Sequence, residues 1–332
     1  MKKFQIVGIG NAMVDVLARA DDAFLAEAGI GKGIMQLIDM ERAVDLYGRI
    51  GPAKEISGGS AANTIAGIAH LGGKTAYVGK VKDDQLGAIF AHDMRAQGAV
   101  YETSLAPKDA PQETGRCIVV VTPDGERSMN TYLGVTEFLE PSDIDPAMMA
   151  DADWIYLEGY RFDGPDSHAA FAKAINACKG HGGRVSLTLS DPFCVERHRD
   201  AFRVMIREDV DLLFCNRAEI LSMYQTDDFD AALDAAADEV PLVACTDSEN
   251  GAHIIAAGHR WHVPAVPTDI VDATGAGDLF AGAFLWGLTN GYDPEACGHM
   301  GCVAASEVIS HVGARPEADL KALFKRYNII AA

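Results

Sequence analysis

Apolar residues in the first half of this chain come in short runs broken by glycine, not in long helical stripes. Phe4–Ile9 is one such run; it closes on Gly8, Gly10 and Asn11 and predicts a buried strand. Residues 11–56 are mixed in pattern, with a helix expected over 21–28 that either Asp21 or Asp22 can cap. Ser57-Gly58-Gly59-Ser60 leads into the small and apolar residues 61–71, which suit a buried helix ended by Gly72-Gly73; Thr75–Val78 reads as the next strand. A hairpin is expected next. Residues 117–121 are apolar, Thr122-Pro123-Asp124-Gly125 carries Pro and Gly where a tight turn wants them, and 127–133 alternates.

Beyond residue 150 the pattern becomes regular. Apolar strands at 154–157, 184–189, 211–214 and 242–245 are interleaved with helical stretches at Ser167–Lys179 and 229–237, and three further helices are expected at 277–288, 294–310 and 317–327. Alternation of this kind implies a mostly parallel sheet covered by helices on both faces. No repeat, low-complexity tract or linker interrupts it. The expectation is one α/β domain over residues 1–332, with a small β lid built from about 11–40 and 100–135.

Composition adds exclusions. With 48% hydrophobic and 23% charged residues the chain reads as a soluble globular protein. Its formal charge of −20 opposes contact with nucleic-acid phosphates or anionic membranes, so neither is an expected partner. No apolar run reaches the length of a membrane span, and the glycine-broken start lacks a signal-peptide core. The seven scattered cysteines form no CxxC pair, which fits reduced thiols in the cytoplasm; Cys297 and Cys302 flanking His299 are a poor match to a zinc site.

The segment richest in chemistry is Asp272-Ala273-Thr274-Gly275-Ala276-Gly277-Asp278, which opens an apolar helix. Backbone amides at a helix start converge on one point and carry the positive end of the macrodipole, and glycines let an anion come close. An aspartate there would repel a phosphate that was merely bound. As a base taking the proton of a hydroxyl that attacks phosphorus, it makes sense. The plainer alternative is a helix cap beside a glycine turn.

This segment resembles the C-terminal signature of the PfkB/ribokinase family of carbohydrate and nucleoside kinases, Asp-Thr-x-Gly-Ala-Gly-Asp, with Ala273 in place of the usual Thr. The family's second signature is matched by Gly58-Gly59-Ser60-Ala61-Ala62-Asn63 and by Val78-Gly79-Lys80-Val81-Lys82-Asp83. The resemblance runs over essentially the whole chain. It implies a ribokinase-like three-layer sandwich, ATP and Mg²⁺ as co-substrate and metal, and Asp278 as catalytic base beside the Gly275, Ala276 and Gly277 amides. It further implies that Asn11, Asp15, Gly58, Gly59, Ser60 and Asn63 hold the acceptor's hydroxyls. Asn216 and Glu219 match an Asn-x-x-Glu element that organises Mg²⁺ through water, although a helix-capping box is the plainer reading of that spacing. Thr246, Ser248 and Gly251 stand in the nucleotide-binding turn, with Ser248 replacing a glycine, and Gly313 and Ala314 match a loop near adenine. Some relatives place a monovalent cation such as K⁺ beside that loop, a use this sequence leaves open.

Within the family the N-terminal half is most similar to the adenosine kinases. Leu189-Ser190-Asp191-Pro192-Phe193 resembles their Leu-Ser-Ala-Pro-Phe segment, with Asp191 for Ala. That similarity implies 5′-phosphorylation of adenosine, with Met35, Leu37, Met129 and Tyr160 as apolar faces for the base and Arg127 as a lid residue reaching the transferred phosphate. A sugar kinase acting on ribose, fructose or a keto-deoxy acid is the alternative. A non-catalytic nucleoside- or sugar-binding protein is disfavoured by the intact Asp278, Asn216 and Glu219. A dinucleotide-binding fold fails because Met13 stands at the third glycine position after Gly8 and Gly10, and no Gly-x4-Gly-Lys-Ser/Thr motif exists. Monomer and homodimer are both open.

Overall fold

The computed structural model describes residues 2–331. Among them two sheets are formed. The larger has nine strands, in spatial order His259–Val263, Ala252–Ala256, Leu242–Thr246, Leu212–Asn216, Arg184–Thr188, Ala152–Glu158, Phe4–Ile9, Thr75–Val78 and Val100–Tyr101. The first two pairings in this order are antiparallel and the remaining six parallel. Burial on both faces explains the unbroken apolar runs. Along Leu212–Asn216, Leu212 and Phe214 pack into one core while Leu213 and Cys215 pack into the other. Helices Ser60–His70, Ala276–Thr289 and Pro294–Ile309 cover the first face; Ser167–Lys179, Pro192–Glu208 and Phe229–Glu239 cover the second. This is the three-layer sandwich expected from the sequence.

The second sheet has five strands, ordered Met35–Leu37, Arg127–Tyr132, Gly115–Val121, Met13–Arg19 and Ala53–Gly58. The 115–132 hairpin forms as predicted, and helix Asp22–Ala28 is capped by Asp21, whose side chain accepts from Phe24 N. Two memberships differ from the expected lid boundaries. Val100–Tyr101 belongs to the large sheet, and Ala53–Gly58 joins the small one. The second was hidden because it is an edge strand: its first two residues are exposed, so Ala-Lys-Glu-Ile carries no alternating apolar signal. On one face, Val16, Ile118 and Val120 pack beneath helices Asp22–Ala28 and Met40–Arg49; on the other, Met13, Cys117 and Val119 look toward the large sheet. All seven cysteines are buried and free. No helix among the described residues is long and apolar enough to cross a membrane.

Candidate active site

A cavity of about 330 Å³ opens where the parallel strands end, beneath the second sheet. Its floor includes Asn11, Glu158, Thr188, Asn216 and Thr246, at or just past the carboxyl ends of five strands. Chain order reverses between Phe4–Ile9 and Ala152–Glu158, and at such a switch point the loops diverge and leave a crevice.

Asp278 stands on the third residue of helix Ala276–Thr289. That helix has no side-chain cap; Ala276 N makes a long bond to Ala273 O (3.4 Å), and Gly277 in the same first turn lines the cavity. Gly275 caps the start with φ 82°, and a Cβ there would press on Ala314. The carboxylate is held at both oxygens: Ser60 Oγ donates to Oδ1 (2.6 Å) and Asn63 Nδ2 to Oδ2 (2.9 Å). Burial raises the Asp278 carboxyl to about 6, against the pull of these two bonds and of Arg315. Asn63 Oδ1 is buried with no partner among the described residues. An unmet acceptor beside a carboxylate is a natural place for a ligand hydroxyl.

Asp15 lines the same cavity, and burial pushes it up to about 7 while Arg315 and Arg127 pull it down. Gly58 lies outside the lining; its part is to be small, since a Cβ there would overlap the Asp15 carboxylate. Gly59 (φ 96°) approaches Asn11 O too closely for a side chain.

The anion loop is organised by its first residue. Asp272, 1% exposed, accepts from Thr274 N (3.0 Å) and Gly313 N (2.7 Å) and pairs with Arg127, which also donates to Thr274 Oγ1 (3.0 Å). Arg127 is therefore buried against this loop, fastening the second sheet to it. Beside Gly313, the Asp272 carboxylate is paired with the Arg127 guanidinium.

Asn216 and Glu219 form the capping box that their spacing allows: Asn216 Oδ1 accepts from Glu219 N (2.9 Å) and Asn216 N donates to Glu219 Oε2 (2.9 Å). Both also line the cavity, where burial raises Glu219 to about 7. One carboxylate and one amide suit a hydrated Mg²⁺ arriving with a triphosphate. Among the described residues no group of three or more His, Cys, Asp or Glu side chains could hold a metal alone.

Of the other expected residues, Met35, Leu37, Met129 and Tyr160 line the cavity. Ser248, Gly251, Gly313 and Ala314 do not: Ser248 is an exposed left-handed residue (φ 48°), and Gly251 (φ 95°) makes room for Val263 O.

Three side chains were missed. Glu158, 1% exposed, accepts from Asn11 N (3.2 Å) and Ala61 N (2.8 Å), tying two acceptor-side loops together; burial raises it to about 7. Arg161, also 1% exposed, donates to Asn11 Oδ1 (3.0 Å) and Ser167 Oγ (2.8 Å). Arg315 reaches under the Gly58-Gly59 turn. Glu158 had a signal, an acid closing an apolar strand before Gly159.

A parallel sheet with an uncapped helix start and a carboxylate at the strands' carboxyl ends, roofed by a smaller sheet, is the arrangement of ribokinase-like ATP-dependent phosphotransferases. The chain belongs to the pfkB family of carbohydrate kinases, whose model matches residues 29–320. Kinases of this family use ATP and a divalent metal. A probable sugar kinase from Rhizobium etli CFN 42 shares 48% identity over 99% of this chain and 100% of its own, with a TM-score of 0.94. The adenosine kinase from Sinorhizobium meliloti shares 46% over 98% of this chain and 99% of its own, at 0.92. A 5-dehydro-2-deoxygluconokinase from Bacillus velezensis is 25% identical over 93% of this chain and 89% of its own.

Proposed function

We propose that the chain transfers the γ-phosphoryl group of ATP to the 5′-hydroxyl of adenosine, with Asp278 as the base. The observation that carries this reading is the division of the cavity. Asp278, Asp15 and Asn63 gather at one part of it, while the second sheet supplies an apolar wall of Met13, Met35, Leu37, Met129 and Leu133. A sugar needs the first part alone. A nucleoside needs both, because its base must leave water against apolar faces.

In this reading Asp278 takes the proton as the acceptor oxygen attacks phosphorus, and Ser60 and Asn63 hold the carboxylate toward it. The amides of Ala276 and Gly277 collect charge that grows on the phosphoryl oxygens, aided by the helix dipole. Asp272 keeps that loop in shape through Thr274, Gly313 and Arg127. For Arg127 to touch the phosphate it must leave Asp272, so its service as arranged here is to fasten the second sheet, acting as a lid, over the site. Asn216 and Glu219 would hold Mg²⁺ through water, and that ion would supply positive charge to the phosphates of ATP. Asn216 and Thr246, which line the cavity, would contact ATP.

Glu158 favours a second reading. A buried carboxylate on the floor beside Asp278 suits an acceptor with several hydroxyls, as in a sugar kinase. Titration calorimetry on the nucleotide-free protein separates the two. Adenosine is expected to bind at least ~100-fold more tightly than ribose or fructose, from burial of the base. Equal or tighter binding of a free sugar would overturn the nucleoside reading.

A further inference from the structure

The loop after helix Pro294–Ile309 sends one side chain back under the acceptor site. Arg315 donates through Nη1 to Ala62 O (2.7 Å) and through Nη2 to Ser57 O (3.1 Å) and Ser57 Oγ (3.0 Å). These carbonyls bracket the Gly58-Gly59-Ser60 turn. Ser57 lies in the edge strand Ala53–Gly58 of the second sheet, and Ala62 in the first turn of the helix that presents Ser60 and Asn63 to Asp278. A planar guanidinium can span both; a single ammonium cannot. Ser57 N is held in turn by Asp93 (3.0 Å), so the turn is gripped from both sides.

Resting on the reading above, we propose that Arg315 is a positioning residue for phosphoryl transfer: it clamps the acceptor turn to its helix and supplies the positive charge that balances Asp15 and Asp278. The clamp alone could be served by neutral donors. The charge is the distinguishing part. Asp278 is faced by Ser60 and Asn63 from helix Ser60–His70, by Asp15 from strand Met13–Arg19, by Glu158 and Tyr156 from strand Ala152–Glu158, and by Arg315. Asp15 is faced by Asp278, Arg127, Arg315 and, from strand Gly115–Val121, Cys117, and Arg315 is faced also by Asp93 and Tyr77. Arg315 thus pulls both carboxyls down where burial pushes them up. Because the base works only when ionised, loss of this cation must carry the acid side of the rate profile to higher pH.

The test measures kcat and acceptor KM between about pH 5 and pH 9 for wild type, R315Q, R315K and D278N, with thermal unfolding alongside. R315Q is expected to lose roughly 100-fold in kcat near neutrality and to move its acid limb up by about one pH unit. R315K is expected to keep the wild-type limb while its acceptor KM rises roughly 10-fold, because one ammonium cannot reach both carbonyls. A wild-type limb in R315Q, or an R315K limb displaced as far as that of R315Q, overturns the proposal. If R315Q does not fold, R315K decides: unchanged acceptor KM overturns it, and a raised KM with the limb kept supports it. Near-wild-type turnover by D278N would sink the base reading instead, and the R315K acceptor KM then judges the clamp by itself.

Discussion

Asp278 receives one hydrogen bond on each oxygen, so its orientation is set before any substrate arrives. Replacement by Asn keeps the shape and removes the basicity; D278N is expected to lower kcat by roughly 10³-fold or more with little change in acceptor affinity, read by steady-state turnover and calorimetry. The wild-type rate should decline as pH falls through about 6, where the carboxylate takes up a proton, and level off above it. A profile flat down to pH ~5 would point to another base. Residues of this kind were legible to different degrees. Asp278, Asn63 and Asp15 sit in glycine-flanked motifs whose chemistry shows in a short window. Arg315 and Arg161 do not, because the bonds that bring them to the site run to Ala62 and Asn11, more than a hundred residues away in sequence. Asn216 and Glu219 show the limit of spacing alone, since the same three-residue interval serves a helix cap and a place on the cavity wall.

Two joints at the level of elements shape the site. One is the start of helix Ala276–Thr289, where Gly275 takes φ 82° against Ala314. Gly275→Ala forces both a left-handed alanine and a clash, so the amides turn away; kcat is expected to fall ~100-fold or more while the fold survives, seen in turnover and circular dichroism. The other is the buried pair Arg127–Asp272, which links the second sheet to the anion loop. R127M leaves Asp272 buried without its counter-charge and is expected to destabilise the protein by about 3 kcal/mol in chemical denaturation. Adding D272N should recover part of that loss, because the stranded charge is gone. No recovery would mean that the two residues act independently. Six strands of the large sheet were legible as apolar runs because both their faces are buried; Val100–Tyr101, Ala252–Ala256 and His259–Val263, toward its two edges, were not. The edge strand Ala53–Gly58 was not, since exposure removes the pattern that marks a strand.

For the whole molecule, the layered α/β plan followed from alternation of strand and helix, and the inserted hairpin from its turn. What the linear pattern could not show is how the second sheet closes over the first, because those contacts join residues near 13, 35 and 129 to residues near 158 and 278 across one cavity. That closure gives the cavity the apolar wall on which the proposed nucleoside reading rests. The formal charge of −20 surrounds this site, so an anionic co-substrate must be received by local features, the uncapped helix start and Mg²⁺ among them. Turnover against a panel of acceptors tests the account most directly: ADP release with Mg·ATP and adenosine, inosine, guanosine, ribose, fructose or keto-deoxygluconate, with D278N beside the wild type. The account predicts the highest kcat/KM for adenosine by a wide margin, AMP as product, and loss of that activity in D278N. A free sugar exceeding adenosine, with D278N still inactive, would contradict the nucleoside assignment and leave a sugar kinase with the same base.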